Sequence, residues 1–230
     1  MPKAQRSPEE IQLVREDIMN KALELIVTDG YDGFTMRKLA ARLEIAAKTI
    51  YNYFQNQDEL YLCLLTKGLE QLYERYKIAV SQHKNPMNQI GAVISAYIEF
   101  GLENPNIYNL MFTWHVPKFN DYIGTPMENV AKHELTAALK CFHFAIDLMH
   151  KYLGDSPAIK EDALQVELIQ IWSHMHGYVA GINNNLLDYL HENPLSLKQM
   201  MIDRAFKNMR SELIAYRRRI GLSVISDDVI

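Results

Sequence analysis

Hydroxyl, amide and cationic side chains are concentrated between Thr35 and Phe54, in two short helical segments separated by a turn. As helices, these segments would share one exposed face, made of Arg37, Lys38, Ala47, Lys48, Thr49, Tyr51, Asn52 and Tyr53. Short or polar residues at the start of a helix can approach base edges, and hydroxyl or cationic groups beside them can bind phosphates. A plain helical hairpin in a bundle is the alternative, but few carboxylates share the face, and the nearest, Glu44, lies in the turn. The pattern therefore favours a surface that contacts nucleic acid.

The rest of the sequence gives little support to an enzyme. A metal oxidase built on a helical bundle needs Glu-x-x-His on two helices and two further carboxylates. This chain has only Asp147-x-x-His150 and Asp188-x-x-His191 at that spacing. It has no glycine-rich phosphate loop, nucleophile elbow or zinc spacing. We therefore predict that the protein is not an enzyme and uses no metal or cofactor. A scaffold or interaction bundle remains a second alternative, although it would have no use for the exposed face.

The composition is that of an ordinary globular chain, not of a strongly basic nucleic-acid binder. The 230 residues include 24 Lys and Arg and 28 Asp and Glu, which gives a net charge of −4. DNA contact must therefore depend on local arrangement. Cys63 and Cys141 are widely spaced and flanked by apolar residues, which favours buried, reduced thiols. No apolar run approaches the ~18 residues of a membrane span. The N-terminal stretch MPKAQRSPEE has no apolar signal core, so we expect a cytoplasmic protein.

Three helices are predicted to hold the exposed face. The first has Ser7 as its N-cap and ends at Asp29-Gly30, where glycine allows a turn. The second runs from Thr35, which can cap it, to Leu43, and the third runs from about Ala46 to Phe54. The side chains predicted to face inward from the second and third helices are Leu39, Ala40, Leu43, Ile45, Ile50 and Phe54.

Helical periodicity continues through the rest of the chain, and strand-like alternation is nowhere sustained. We predict an all-α fold of about nine helices, with the later ones at about 59–82, 86–103, 105–115, 127–152, 158–190 and 196–220. Asp58 is predicted to cap the first of these, and 116–126 is the longest predicted loop. The predicted organisation is a three-helix, helix-turn-helix domain at 1–58, joined by a long helix to a C-terminal helical domain within 59–230.

The stretch from Phe34 to Leu60 resembles the DNA-binding domain of the TetR/AcrR family of transcriptional regulators. The features that carry the resemblance are Thr35, Leu39-Ala40, the run Thr49-Ile50-Tyr51-Asn52-Tyr53-Phe54, and Glu59-Leu60 opening a long helix. The residues that it implies face the major groove are Ala47, Lys48, Thr49 and Asn52. Those that it implies contact the phosphate backbone or groove edge are Thr35, Arg37, Tyr51 and Tyr53, with plain packing as the alternative for Tyr53. The resemblance also implies a repressor that leaves double-stranded operator DNA when a small effector binds the C-terminal domain.

Three positions depart from the family pattern. Glu44 stands where the family usually has Gly, Ala46 where a capping Ser is usual, and Gln57 where a phosphate-binding Lys is usual. Residues 1–60 contain eight Lys and Arg and ten Asp and Glu, a net charge of −2. Because phosphate contacts drive non-specific affinity, we expect weak binding to random DNA and a modest salt dependence.

The long helix predicted from Ala158 carries two apolar stripes, whereas a surface helix of a monomer needs only one. We therefore expect the last two helices to form a homodimer interface, with an ordinary buried core helix as the alternative. The predicted interface residues are Val166, Ile169, Ser173, Ala180, Leu187, Met209, Leu213 and Tyr216. A twofold dimer would read a near-palindromic operator, with half-sites about one helical turn, ~34 Å, apart.

The middle of the chain is rich in aromatic residues and Met, which favours either core packing or an adaptable pocket for a small, largely apolar effector. The residues proposed for such a pocket are Tyr97, Phe100, Tyr108, Met111, Trp114, His115, Phe142, Trp172 and His176. A satisfied core histidine is the alternative for His115 and for His176. The stretches Asn104–Phe112 and Trp172–Gly177 resemble a TetR subgroup named for its Trp-His-Gly signature.

Overall fold

The computed structural model describes residues 7–154 and 156–223, and all regular structure within them is helical. Nine α-helices occur in this part of the chain: α1 (Pro8–Asp29), α2 (Met36–Arg42), α3 (Ala47–Ile50), α4 (Gln57–Ser81), α5 (Pro86–Glu103), α6 (Pro105–Phe112), α7 (Glu128–Leu153), α8 (Glu161–Asn183) and α9 (Lys198–Arg219). Short 3-10 helices cover Phe119–Tyr122, Leu187–Tyr189 and Pro194–Leu197. The predicted all-α fold is confirmed. None of the described helices is both long enough and apolar enough to cross a membrane.

Side-chain caps fix the starts of the N-terminal helices. The Ser7 hydroxyl accepts from the Glu10 amide at 3.2 Å, while the Glu10 carboxylate accepts from the Ser7 amide at 2.8 Å. This reciprocal pair satisfies two amides that a helix start leaves without partners. Thr35 caps α2 through the Lys38 amide at 3.2 Å. Both predicted caps are confirmed, but the predicted cap at Asp58 is wrong, because the Asn56 side chain accepts from the Glu59 amide at 2.8 Å.

The chain divides into two compact units, which we call the N-terminal unit (Met1–Leu69 and Leu110–Ala137) and the C-terminal unit (Glu70–Asn109 and Ala138–Ile230). The predicted boundary between residues 58 and 59 remains a prediction. Lys3 and Arg6, which contribute to the N-terminal charge, and Asp155 lie outside the described residues.

The core of the N-terminal unit is formed by side chains of α1, of α2 and of the segment from Ala46 to Phe54. Its buried residues include Ile18 and Ala22 on α1, Leu39 on α2, and Ile50 and Phe54. The inward orientation predicted for Leu39, Ala40, Ile50 and Phe54 is confirmed, and Leu43 is half-buried. The prediction for Ile45 is wrong, because its side chain is 37% exposed.

In the C-terminal unit, α5, α8 and α9 pack against one another. A methyl group added to Gly101 of α5 would lie 2.5 Å from the Val179 side chain of α8, so the glycine allows close helix approach. The predicted extension of α8 to residue 190 is wrong, because the helix ends at Asn183. Asn184 hydrogen-bonds to Asn109 at 3.3 Å and Asn185 takes φ 55°, which turns the chain away from the helix axis.

Candidate nucleic-acid interface

The two short helices present their polar residues outward. Thr35, Arg37, Lys48, Tyr51 and Asn52 are exposed. Ala47, Thr49 and Tyr53 are half-buried at the margin of the same segment, while Ile50 and Phe54 hold it to the core. The predicted DNA-contacting side chains therefore lie in the same segment as buried apolar residues that fix it to the core. This arrangement leaves the polar side chains accessible to a groove of DNA.

The segment from Ala46 to Phe54, which we call the recognition segment, is less helical than predicted. Only Ala47–Ile50 is α-helical. The chain then tightens into i→i+3 turns, with the Asn52 amide bonded to the Thr49 carbonyl at 3.2 Å and the Tyr53 amide to the Ile50 carbonyl at 2.9 Å. Because so short a helix has little stability of its own, the surrounding structure must hold its shape.

One of the cations predicted for this surface is neutralised within the chain. The Lys38 ammonium lies 2.7 Å from the Asp29 carboxylate at the end of α1. Its hydrogen bond lowers the pKa of the Asp29 carboxyl. Within the part of the chain that the structure describes, Arg37 and Lys48 form no ion pair, so these two cations remain for phosphate or base contacts.

The three departures from the family pattern have structural consequences. Glu44 takes φ 53°, a left-handed conformation that glycine adopts more easily than other residues. Ala46 gives α3 no side-chain cap. Gln57 is the first residue of α4 and is half-buried. The chain keeps the backbone path of a tight helix-turn-helix without the residues that favour that path.

A tyrosine cluster, which sequence reasoning missed, surrounds the start of α4. The Asp58 carboxylate accepts from the Tyr31 hydroxyl at 3.0 Å and from the Tyr122 hydroxyl at 3.4 Å. Tyr61 donates its hydroxyl to the Pro117 carbonyl at 2.9 Å. Burial raises the pKa of Tyr122 to about 12, so its hydroxyl remains a donor at neutral pH. These bonds join the stretch predicted as a loop to the helix that follows the recognition segment.

Comparison with known families identifies this architecture. Residues 18–64 match the family described as "Bacterial regulatory proteins, tetR family". Residues 90–204 match the family described as "Tetracyclin repressor-like, C-terminal domain". The chain belongs to the TetR family of transcriptional regulators. The predicted family and the DNA-binding helix-turn-helix are confirmed, whereas the Trp-His-Gly subgroup is not named by either description and remains a prediction.

Curated relatives of this TetR-family protein are themselves regulators. It is 25% identical over 140 residues to the HTH-type transcriptional activator FasR of Mycolicibacterium smegmatis, covering 61% of this chain and 60% of that protein. It is 28% identical over 80 residues to the fatty acid metabolism regulator protein of Bacillus subtilis, covering 35% of this chain and 41% of that protein. The chain thus matches less than two-thirds of the length of either relative.

Solved structures share the fold of this TetR-family protein. A protein of unknown function from Rhodococcus sp. RHA1 aligns with a TM-score of 0.63 at 18% identity, over 90% of this chain and 97% of that chain. FadR from Bacillus subtilis, solved in complex with stearoyl-CoA, aligns with a TM-score of 0.60 at 15% identity, over 83% of this chain and 97% of that chain. At these identities, the likeness extends to the fold alone.

Four of the predicted effector-pocket residues meet in the C-terminal unit of the TetR-family protein. The Tyr97 and Tyr108 hydroxyls are 2.9 Å apart, and the Tyr108 hydroxyl lies 2.8 Å from His176 Nδ1. The Trp172 ring stacks on His176 with centroids 4.8 Å apart. Burial lowers the pKa of His176, so the neutral ring is favoured and can accept at Nδ1. These contacts give His176 a hydrogen-bond partner and a stacking partner within the chain, and both the pocket and the core-histidine alternative remain hypotheses.

The other predicted pocket residues take no part in the hydrogen bonds and ring contacts just described. Phe100 is buried in α5, and the half-buried Phe142 ring lies 5.7 Å from its neighbour His143. Met111, Trp114 and His115 belong to the N-terminal unit, where Met111 is buried, Trp114 half-buried and His115 exposed.

A separate apolar cavity of about 30 Å³ lies between helices of the C-terminal unit. It is lined by Ile90, Val93, Ile94, Ala145, Leu148, Met149, Leu168, Ile171, Met175 and Met209. None of the nine predicted pocket residues lines it. Apolar periodicity along a helix is typical of a buried face and gives no signal that the packing of that face leaves a gap.

The predicted dimer residues divide between the surface and the interior of the TetR-family protein. Val166 and Ile169 of α8 are 51% and 56% exposed, and Ser173 is exposed beside them. Ala180 is half-buried, and Leu187 lies after the end of α8. Met209, Leu213 and Tyr216 of α9 are buried within their own chain, so their side chains offer almost no surface to a partner. The dimer hypothesis therefore applies best to the side of α8 that carries Val166, Ile169 and Ser173, which we call the outer face of α8.

Proposed function

We propose that this TetR-family protein is a repressor that binds a near-palindromic operator and is released by a small, largely apolar effector. The observation that carries the proposal is the recognition segment, which exposes Lys48, Tyr51 and Asn52 while Ile50 and Phe54 anchor it in the core. Lys48 and Asn52 have donors for base edges, and the Tyr51 hydroxyl suits a phosphate. This proposal retains the predicted roles of Ala47, Thr49 and Tyr53 at the margin of the contact.

The proposed assembly is a homodimer through the outer face of α8. Its support is the exposed row formed by Val166, Ile169 and Ser173, followed by Gly177. A methyl group added to Gly177 would meet nothing within 4 Å, so the chain itself leaves room there for another helix. Twofold pairing would place two recognition segments on one operator, which is how helix-turn-helix dimers reach useful affinity.

The proposed effector is an apolar molecule with an alkyl part that enters the C-terminal unit. The cavity lined by Ile90, Met149, Met175 and Met209 supports this choice, because every lining side chain is aliphatic or a thioether. At about 30 Å³ it is far smaller than the ~300–1,000 Å³ of typical ligand sites, so binding would have to displace its walls. Methionine side chains have the flexibility for that displacement. FadR, a neighbour in fold, was solved with stearoyl-CoA.

Activation is the second candidate mode of regulation. The relative FasR is named as a transcriptional activator. The same recognition segment and dimer would serve either mode, since the sign of regulation depends on where the operator lies relative to the promoter.

Selection of bound duplexes from random DNA, repeated with straight-chain acyl compounds, tests the proposed function. We expect enrichment of a twofold-symmetric site and loss of binding with an effective ligand. No enrichment would overturn the proposal, and an asymmetric site would overturn the dimer. Release from a site overlapping the promoter would support repression, and transcription raised by binding would support activation.

Replacement of Lys48 with Ala tests whether the recognition segment contacts DNA through this residue. We expect at least a tenfold loss of operator affinity and a changed base preference, because a good side-chain contact to a base contributes about 1–3 kcal/mol. The matched control is Lys21→Ala on α1. The Lys21 ammonium lies 2.9 Å from the Glu24 carboxylate of the same helix. Equal affinities for wild type and Lys48→Ala in a gel-shift titration would contradict the assignment.

A further inference from the structure

We propose that Arg15 of α1 is a positioning residue for DNA recognition, which holds the C-terminal end of the recognition segment without contacting DNA itself. The role in DNA binding rests on the proposed function, whereas the role in holding the segment rests on the geometry of the N-terminal unit alone. Arg15 is half-buried and lies one turn before Ile18 and Met19, which anchor α1 in the core.

Three contacts join the Arg15 guanidinium to two other parts of the N-terminal unit. Its Nη1 donates a hydrogen bond to the Tyr53 carbonyl. The guanidinium lies over the Phe54 ring, 4.1 Å from the ring centroid. Its Nη2 lies 3.7 Å from the Cys63 Sγ atom of α4. One side chain of α1 thus contacts both the end of the recognition segment and the helix that follows it.

The recognition segment needs such external support. Its α-helical part has four residues, Ala47–Ile50, and Ala46 provides no side-chain cap. The carbonyls in the last turn of a helix lack partners within the helix. Tyr53 lies three residues beyond Ile50, where α3 ends, and a charge-assisted hydrogen bond to its carbonyl can hold the chain there. Arg15 supplies the donor of that bond.

The same geometry separates positioning from direct contact with phosphate. Arginine suits this task because its planar group can donate in its plane while its face stacks on a ring. A guanidinium engaged at once with the Tyr53 carbonyl, the Phe54 ring and the Cys63 sulfur is directed inward. Its effect on DNA would pass through the orientation of Tyr51, Asn52 and Tyr53.

Hydrogen exchange on the free protein tests the positioning role without DNA. In Arg15→Met, which keeps an unbranched side chain but loses the donors, we expect the amides of Asn52, Tyr53 and Phe54 to exchange at least tenfold faster. Amides of α5, α8 and α9 should keep their rates, which shows that the C-terminal unit is folded, and amides near the end of α1 should do the same for the N-terminal unit. The matched control, Lys21→Met on the same helix, should leave the segment unchanged. Wild-type exchange rates at these three amides in Arg15→Met would overturn the proposal.

The Arg15→Lys variant tests whether a hydrogen-bond donor at this position is sufficient to hold the recognition segment. Lysine keeps the charge and can reach for the Tyr53 carbonyl, although it lacks the planar fork. We expect it to recover most of the lost protection in the segment. If Arg15→Met disrupts the N-terminal unit altogether, Arg15→Lys decides alone: protection near wild type supports the donor role, and exchange as fast as in an unfolded segment overturns it.

The dependence of operator affinity on salt distinguishes positioning from phosphate contact. Arg15→Met should bind the selected operator at least tenfold more weakly, with the same slope of log affinity against log salt concentration as wild type. A slope reduced by about 0.9 for each protomer, or about 1.8 for the proposed dimer, would indicate lost phosphate contacts and overturn the proposal. If the wild type selects no DNA, the proposed function fails, and the exchange measurement still decides whether Arg15 holds the segment.

Discussion

At the scale of single residues, Glu44 shows how the chain retains a turn geometry that its sequence disfavours. Its φ of 53° lies in the left-handed region, where a side chain with Cβ costs about 1 kcal/mol or more. We predict that Glu44→Gly raises the free energy of unfolding by up to about 1 kcal/mol, after the extra freedom of glycine in the unfolded chain is counted. Thermal denaturation measures this. Glu44→Gln removes the charge but keeps Cβ, so an equal rise in that variant would contradict backbone strain as the cause.

His176 gives the C-terminal unit a dependence on pH. Burial lowers the pKa of this ring below its ordinary value of about 6.5, and its neighbours in the cluster are Tyr97, Tyr108 and Trp172. Between the lowered pKa and 6.5 the unfolded state binds more protons at this histidine than the folded state does. The contribution of neutral His176 to the free energy of unfolding is therefore fully present above about pH 6.5 and is lost as the pH falls below it. Melting temperatures from pH 5 to 7.5 should show this fall, and His176→Asn should reduce it. His143→Asn, on exposed α7 surface, should not, and an equal reduction there would contradict the assignment.

At the scale of elements, the recognition helix lacks the residue that would stabilise its start. Ala46 precedes α3 with extended backbone angles, φ −67° and ψ 138°, as an N-cap requires, but cannot accept a hydrogen bond. We predict that Ala46→Ser stabilises the N-terminal unit by about 1 kcal/mol, since the hydroxyl would accept from an amide of the first turn. Chemical denaturation measures the gain. Ala46→Val adds bulk without an acceptor and should give no gain; if it stabilises equally, capping is not the reason.

Local sequence rules predict the elements whose causes are local. Ser7, Thr35 and Gly30 mark helix ends by chemistry that acts within a few residues, and the structure confirms all three. The end of α8 is local as well, since Asn185 takes φ 55° and the Leu186 amide donates to the Gly181 carbonyl at 2.9 Å, but the apolar residues beyond it favoured a longer helix. Contacts between distant residues are different: the bonds from Tyr31 and Tyr122 to Asp58 are revealed by no periodicity in the sequence. Among functional residues, outward orientation in the recognition segment could be predicted from the buried positions between them, whereas grouping into a pocket could not.

At the scale of the whole molecule, the apolar pattern of the last two helices has two different causes. Two apolar stripes on α8 suggested burial on both sides, and the inner stripe, with Leu164, Ile171 and Met175, is indeed buried. The residues predicted for the interface on α9, Met209, Leu213 and Tyr216, are buried as well and need no partner to explain them. Among the described residues of α8, Val166 and Ile169 are 51% and 56% exposed, with Ser173 and Gly177 further along the same side. The proposed partner therefore has a basis on α8 but not at the residues predicted for it on α9.

Replacement of Ile169 with Arg tests whether the outer face of α8 binds a second copy of the chain. Ile169 is 56% exposed at the middle of the outer row of α8, so the variant should fold as the wild type does. At the centre of a homodimer interface, however, two unpaired cations would face each other across the twofold axis, and each buried charge costs several kcal/mol. We predict that the dimer dissociation constant rises at least a hundredfold in sedimentation equilibrium and that operator binding falls to the level of a single half-site. The matched control is Leu139→Arg, which places the same charge at an apolar residue of α7 that is 42% exposed. Dimers of unchanged stability in Ile169→Arg, or equal dissociation in Leu139→Arg, would show that the outer face of α8 is not where two copies meet.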